Sequence, residues 1–168
     1  MSDLGLFLKQ VVTKPTQVVA VAPSSKALAQ RMAGAVPDGS GHVIELGAGT
    51  GKITQALINA GIPGGNIHSF EINDDFCGYL GVSFPSVDVI QDRAENLGDH
   101  GIEDIKAVVS GLPLLSMDVA TQRAIVGSAF RALRPGGVFI QFTYGPMPSV
   151  CKTVREELNL GWTRSQRI

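Results

Sequence analysis

Little in this sequence is suited to redox or metal chemistry. The two cysteines, Cys77 and Cys151, sit in unrelated segments without the spacing of a metal site, and read as reduced structural thiols. No metal is expected. The three histidines, His42, His68 and His100, fall at turns or strand starts in the pattern given below, away from the strands' carboxyl ends, so general bases are few. Charge is sparse too: 17% of residues are charged, the net is −1, and the lack of a basic excess argues against a nucleic-acid partner. No apolar run approaches the roughly 20 residues of a membrane-spanning helix. The first apolar stretch, interrupted by Lys9 and Gln10, does not read as a signal peptide. Repeats and low-complexity tracts are absent. A cytoplasmic protein is expected.

What is present is the composition of a globular protein, 44% hydrophobic in 168 residues, enough for one domain with its own core. Two local basic excesses stand out. Lys9, Lys14, Lys26 and Arg31 face only Asp3 near the start, and Lys152, Arg155, Arg164 and Arg167 outnumber Glu156 and Glu157 near the end. After residue 42, strand and helix patterns alternate. Strands are expected at Val43–Leu46, Ile67–Glu71, Val87–Gln91, Lys106–Ser110 and Val138–Thr143. Helices are expected at Lys52–Asn59, Asp74–Leu80, Met117–Leu133 (ended by Pro135-Gly136-Gly137) and Ser149–Leu158, with a short turn or helix at Ala94–Leu97. Such alternation specifies an α/β fold: a doubly wound, mainly parallel sheet covered on both faces, with ligands bound beyond the carboxyl ends of the strands.

The most informative segment is V-I-E-L-G-A-G-T-G, Val43 to Gly51. An apolar strand carrying one acid, Glu45, runs into Gly47, Ala48, Gly49 and Gly51, and a helix pattern follows at once. Glycine lets the chain turn sharply and lets a ligand lie against bare backbone. The dinucleotide fingerprint spaces its glycines G-x-G-x-x-G; here the order is E-x-G-x-G-x-G. That pattern resembles motif I of the class I S-adenosylmethionine-dependent methyltransferases, whose Rossmann-like fold is then expected. The resemblance implies that the turn takes the amino-acid part and the ribose flank of the cofactor beside a helix N-terminus. Glu71, twenty residues past Gly51 and followed by Ile72, suits the ribose hydroxyls, a device NAD enzymes share. The alternative is a surface carboxylate at a strand end. Asp92 resembles the methyltransferase aspartate that accepts from the adenine amino group, with Arg93 and Ala94 on the same edge; the alternative is a helix N-cap. Glu45, buried by its strand, needs a partner and is assigned to the neighbourhood of the cofactor.

The fourth strand ends in V-V-S-G-L-P-L-L, and in this fold that tip faces the transferable methyl. Methyltransferases acting on adenine or glutamine nitrogens place an Asn or Asp, a Pro and an aromatic there. Ser110, Gly111, Leu112, Pro113 and Leu114 offer neither amide nor aromatic, which weakens an rRNA adenine reading. The segment instead resembles bacterial phospholipid N-methyltransferases. So do A-P-S-S at Ala22–Ser25, R-A-L-R-P-G-G at Arg131–Gly137 and Q-F-T-Y-G-P at Gln141–Pro146, and with motif I the resemblance spans most of residues 4–148. It implies stepwise methylation of phosphatidylethanolamine towards phosphatidylcholine, with S-adenosylhomocysteine as product. Tyr144 and Ser110 are the candidate catalytic residues. Tyr144 would position the amine or face the growing cation with its ring, unless it is a packing residue. Pro23, Ser24, Ser25, Leu112 and Pro113 belong to the substrate side. The class I fold normally ends in a further hairpin; Gly161–Ile168 reads as the start of its first strand, so an incomplete or reduced hairpin is expected.

At the amino terminus Leu4, Phe7, Leu8 and Val11 form an apolar stripe at helical spacing, accompanied by Lys9 and Lys14. This reads either as an interfacial helix drawn to anionic lipid or as a helix packed on the domain. Residues 1–35 are taken as this amphipathic, substrate-side segment and residues 36–168 as the cofactor-binding domain. The expectation is a monomeric enzyme, peripheral on the inner face of the cytoplasmic membrane, with a phospholipid substrate and no nucleic-acid partner. The rival readings are an RNA or protein N-methyltransferase and a catalytically silent adenosylmethionine-binding module.

Overall fold

The computed structural model describes residues 26–143 and 146–164. A helix, α1 (Lys26–Gly34), precedes the first strand, β1 (His42–Leu46). Then follow α2 (Lys52–Asn59), β2 (Ile67–Glu71), α3 (Asp74–Ser83), β3 (Asp88–Gln91), a 3-10 segment (Ala94–His100), β4 (Ile105–Ser110), α4 (Val119–Ala132), β5 (Leu133–Gln141) and α5 (Lys152–Glu157). The five strands form one parallel sheet in the order β3-β2-β1-β4-β5. Strand order therefore reverses between β1 and β4, the place where such sheets open a crevice for ligands.

Alternation of side chains along the strands feeds two cores. Val43, Ile67, Ala107 and Val109 face Leu28, Met32, Ile53 and Leu57 of α1 and α2. Ile44, Leu46, Phe70 and Val108 face Ile125, Val126 and Ala129 of α4 and Val154 of α5. β4 is buried along its whole length, as a central parallel strand must be. Local chemistry starts the helices. Asn73 caps α3 by accepting from the Phe76 N–H, and Asp118 caps α4 by accepting from the Thr121 N–H at 2.8 Å. α2 begins without a side-chain cap, directly from Gly51 at φ 76°.

The expected doubly wound α/β architecture is present, with shifted boundaries at several elements. α3 runs a turn further than the sequence suggests, to Ser83. α4 starts after Asp118 and stops at Ala132, because Leu133 is already paired with Ile105 across to β4. The R-P-G-G turn consequently lies inside β5, absorbed as a register shift with Gly136 at φ 78°. β5 closes at Gln141 rather than Thr143, and α5 is reduced to six residues. Residues 161–164 form no strand, and the rest of the expected Gly161–Ile168 strand lies outside the described residues. α1 falls inside the expected amino-terminal segment and packs Leu28, Ala29, Met32 and Ala33 into the core.

Candidate active site

The carboxyl ends of β1, β2, β3 and β4 converge on a cleft of about 240 Å³. Gly47 comes from β1, Phe70, Glu71 and Ile72 from β2, Asp92 to Glu95 from the end of β3, and Gly111, Leu112 and Pro113 from β4. Met117, just ahead of α4, and Thr121 and Ile125 within it, spaced by four, close one side.

The glycine turn crosses from β1 to the tip of β2, where the Phe70 carbonyl accepts from the Gly47 and Ala48 N–H groups at 2.9 and 3.2 Å. Its glycines do different work. Gly47, at φ 73°, lies against the next tip, and a Cβ there would come within 2.6 Å of the Leu112 side chain. Gly51 faces away from the cleft, and a Cβ there would strike the Phe84 ring. Gly111 allows a similar approach from the other side: its N–H donates to the Leu46 carbonyl at 2.8 Å, and a Cβ would lie 3.0 Å from the Gly47 carbonyl. Tight contact of the β1 and β4 tips is thus a property of two glycines.

Glu45 is fully buried beneath the turn and does not reach the cleft wall. Its carboxylate accepts from the Thr54 N–H at 3.1 Å, the Thr54 hydroxyl at 2.6 Å and the Ser69 hydroxyl at 2.7 Å. It thereby ties α2 and β2 to β1. Burial pushes its carboxyl above the usual carboxylate range, with those hydrogen bonds opposing the rise and the Glu71 charge adding to it. Glu45, expected among the residues around the cofactor, supports the site from below the wall, because the partners of its carboxylate are Thr54 and Ser69.

Glu71 is on the wall but heavily engaged. Oε2 accepts from the Gly49 N–H at 2.8 Å, and Oε1 from the Ile72 and Asn73 N–H groups at 2.9 Å each. A carboxylate offers about four acceptor sites, so a diol arriving here meets one spare site or displaces a main-chain donor. The surface-carboxylate alternative does not hold, since Glu71 is only 7% exposed. Ile72 is 65% exposed beside it, an apolar surface open to a planar ligand.

Asp92 is not a helix cap. The residue in the capping position of the 3-10 segment is Arg93, without a side-chain cap bond. Asp92 Oδ1 instead accepts from the Arg93 N–H at 2.7 Å and the Asn96 amide at 2.8 Å, while Oδ2 lies 2.9 Å from His100 Nε2. The His100 contact, ahead of the Arg93 and Asn96 bonds, holds the Asp92 carboxyl below the usual range. This corrects the expected remoteness of His100. The 3-10 segment folds it back over eight residues to the carboxyl end of β3, where its ring meets Phe70 edge-on at 5.0 Å. His42 and His68 do stay at the opposite edge, hydrogen-bonded to each other at 2.8 Å with His68 also 2.8 Å from Asp88.

Ser110 is corrected as well. It has no exposure, and its hydroxyl accepts from the Leu112 N–H at 3.3 Å, so it shapes the β4 tip from behind the cleft wall. Gly111, Leu112 and Pro113 are on the wall, as are Arg93 and Ala94; the Arg93 guanidinium pairs with Glu95 at 2.8 Å. Tyr144, Pro23, Ser24, Ser25 and the stripe Leu4, Phe7, Leu8, Lys9, Val11 and Lys14 lie outside the described residues. The cleft also contains residues not anticipated from sequence. The spacing of Met117, Thr121 and Ile125 carries a helical signal that could have singled them out. Phe70 and Glu95 adjoin residues that were singled out.

No family model matches the chain. It is 33% identical over 154 residues to an ornithine lipid N-methyltransferase of Singulisphaera acidiphila, covering 87% of this chain and 80% of that protein. Among solved structures, the glycopeptide N-methyltransferase MtfA complexed with (S)-adenosyl-L-methionine aligns with a TM-score of 0.57 at 21% identity, over 68% of this chain and 52% of that one. The CcbJ methyltransferase from Streptomyces caelestis aligns with a TM-score of 0.58 at 23% identity, over 70% of this chain and 51% of that one. The chain therefore spans about half the length of these structural relatives, which share its fold. By its identity with the ornithine lipid enzyme and the extent of that match, the chain belongs to the lipid N-methyltransferase family, built on the class I methyltransferase fold.

Proposed function

We propose that the chain uses S-adenosylmethionine to methylate the amine headgroup of a membrane lipid, releasing S-adenosylhomocysteine. The observation that carries this reading is its 33% identity with a lipid N-methyltransferase over most of both chains. The cleft supports it. Gly47 lines the cleft at the β1 tip, Glu71 retains an acceptor site, and Asp92 presents a carboxylate to an exocyclic amine. When bound, the cofactor supplies an electrophilic methyl group. Ile72 and Ala94 would flank its adenine, and Glu71 its ribose.

The amine would arrive on the side of Leu112 and Pro113, where Met117 and Ile125 add apolar wall. An ammonium entering such a wall is disfavoured relative to the neutral amine, so desolvation and positioning would carry much of the catalysis. Tyr144 is proposed to orient the amine. The stripe Leu4, Phe7, Leu8 and Val11, with Lys9 and Lys14, is proposed to hold the enzyme on anionic lipid at the inner face of the cytoplasmic membrane, as a monomer.

For the headgroup we favour phosphatidylethanolamine, on the S-G-L-P-L and Q-F-T-Y-G-P segments. Ornithine lipid is the second reading, favoured by the substrate in the relative's name. Both offer a primary amine. The test is incubation of the purified chain and cofactor with vesicles containing one lipid or the other, followed by mass spectrometry of the lipids. Successive methyl additions to the ethanolamine lipid are expected. Methylation of ornithine lipid alone would transfer the assignment, and cofactor binding without turnover on either would leave a silent binding module.

A further inference from the structure

We propose that Gln141 selects the methylation state of the substrate: its side-chain carbonyl accepts a hydrogen bond from an N–H of the incoming amine. This rests on the reading of the site as an amine methyltransferase. Gln141 ends β5 in register with Ser110 at the end of β4. Its amide nitrogen donates to the Leu112 carbonyl at 2.9 Å and the Phe142 carbonyl at 3.3 Å. Those two bonds settle the orientation of the amide, since the flipped group would set oxygen against two carbonyls. The remaining oxygen, Oε1, is buried with no partner, which is true of no other buried side-chain N or O atom among the described residues.

An acceptor withdrawn from water with nothing to accept is disfavoured. Nearby polar groups are satisfied: the Gln122 amide donates to the Leu114 carbonyl, and the Ser149 hydroxyl to the Phe142 carbonyl. Gln141 as a residue is half-buried, and it ends β5 beside the β4 tip. The carbonyl that Gln141 holds belongs to Leu112, on the cleft wall where the amine would arrive.

The missing donor has the chemistry of an amine N–H. An amide oxygen suits that task better than a carboxylate, because a negative charge would stabilise the ammonium and withhold the lone pair that attacks. The consequence is specific. A neutral primary amine has two N–H groups, its monomethyl form one, and its dimethyl form none. Gln141 therefore assists the first and second transfers and contributes nothing to the third.

The test uses the full chain and vesicles containing the unmethylated, N-methyl or N,N-dimethyl form of whichever headgroup, ethanolamine or ornithine, the wild type methylates. Gln141→Leu should lower kcat/KM about tenfold for the first two acceptors, the size of one lost hydrogen bond, and less than about twofold for the dimethyl lipid. Adenosylhomocysteine affinity should be unchanged, which also reports that the variant is folded. Gln141→Glu keeps an oxygen but adds charge and gives up the donor to the Leu112 and Phe142 carbonyls, so kcat on the first two acceptors should fall and its pH optimum move upward. Equal losses on all three acceptors, or no loss on any, would overturn the proposal and leave Gln141 a structural tie. Wild-type inactivity on both headgroups would instead sink the reading of the site, and this inference with it.

Discussion

A carboxylate without exposure has to be reconciled with its burial, and Glu45 does so through Thr54 and Ser69. Its raised folded pKa means that the native state holds the proton more tightly than the unfolded chain. The stability it contributes is therefore complete below the unfolded value of 4.5 and is lost as pH rises through the folded value. Glu45→Gln should flatten that loss in melting temperatures recorded from about pH 4.5 to neutrality; curves parallel to the wild type would show that Glu45 does not titrate there. Glu71 poses a different problem, because a change would remove the proposed ribose contact and loosen the turn together. Glu71→Gln would face its N–H2 towards one of the main-chain donors that the carboxylate now satisfies. Weakening of adenosylhomocysteine binding by about 1.5–3 kcal/mol is expected by calorimetry, the range of a charged hydrogen bond, and unchanged affinity would remove Glu71 from the site. Asp92 is tested through its partner. His100→Leu should reduce adenosylhomocysteine affinity by up to about tenfold, roughly one hydrogen bond, and His100→Gln should restore most of it. Full affinity in the leucine variant would show that Asp92 needs no support from His100.

At the scale of elements, the junction of glycine turn and helix carries the most constraint. Gly51 starts α2 in the left-handed region, and a side chain would meet Phe84 and Leu80 of the α3 end. Gly61, at φ 90°, closes the same helix with open space around it. Gly61→Ala should cost only backbone strain, about 1 kcal/mol, whereas Gly51→Ala should cost about 2–4 kcal/mol because crowding adds to the strain. Chemical denaturation of the two variants separates these terms, and equal losses would mean that α3 yields freely. The third glycine of the motif is thus a packing device between α2 and α3, while Gly47 and Gly111 bring β1 and β4 together.

For the whole molecule, the proposed lipid substrate would require that the strand tips meet a surface. No helix among the described residues is long and apolar enough to cross a membrane. The proposed contact through Phe7 and Leu8 predicts that changing both to Ser abolishes sedimentation with anionic vesicles and slows methylation of vesicle lipid. Adenosylhomocysteine binding should persist. On that proposal Lys9 and Lys14 would add roughly 1 kcal/mol each near an anionic surface, so salt should weaken wild-type binding only in part. Loss of cofactor binding in the double variant, without any vesicle binding by the wild type, would instead make the segment a structural lid.

Local pattern determined much of this protein. The five strands and the glycine turn follow from side-chain periodicity and from where glycines interrupt it, both readable over a few neighbouring residues. Glu71, Asp92, Leu112 and Pro113 are singled out at the strand ends by the resemblance of their segments to methyltransferase motifs. Tertiary structure decided what depends on chain segments crossing one another. It took Ser110 off the wall, placed Glu45 under the turn, and carried His100 back to Asp92. It spent most of the Glu71 acceptor capacity on main-chain N–H groups, and it isolated Gln141 Oε1 by giving both of its amide hydrogens to carbonyls. Sequence spacing ranks residues by type and order along the chain, but hydrogen-bond saturation is a property of the partners that folding brings within about 3 Å.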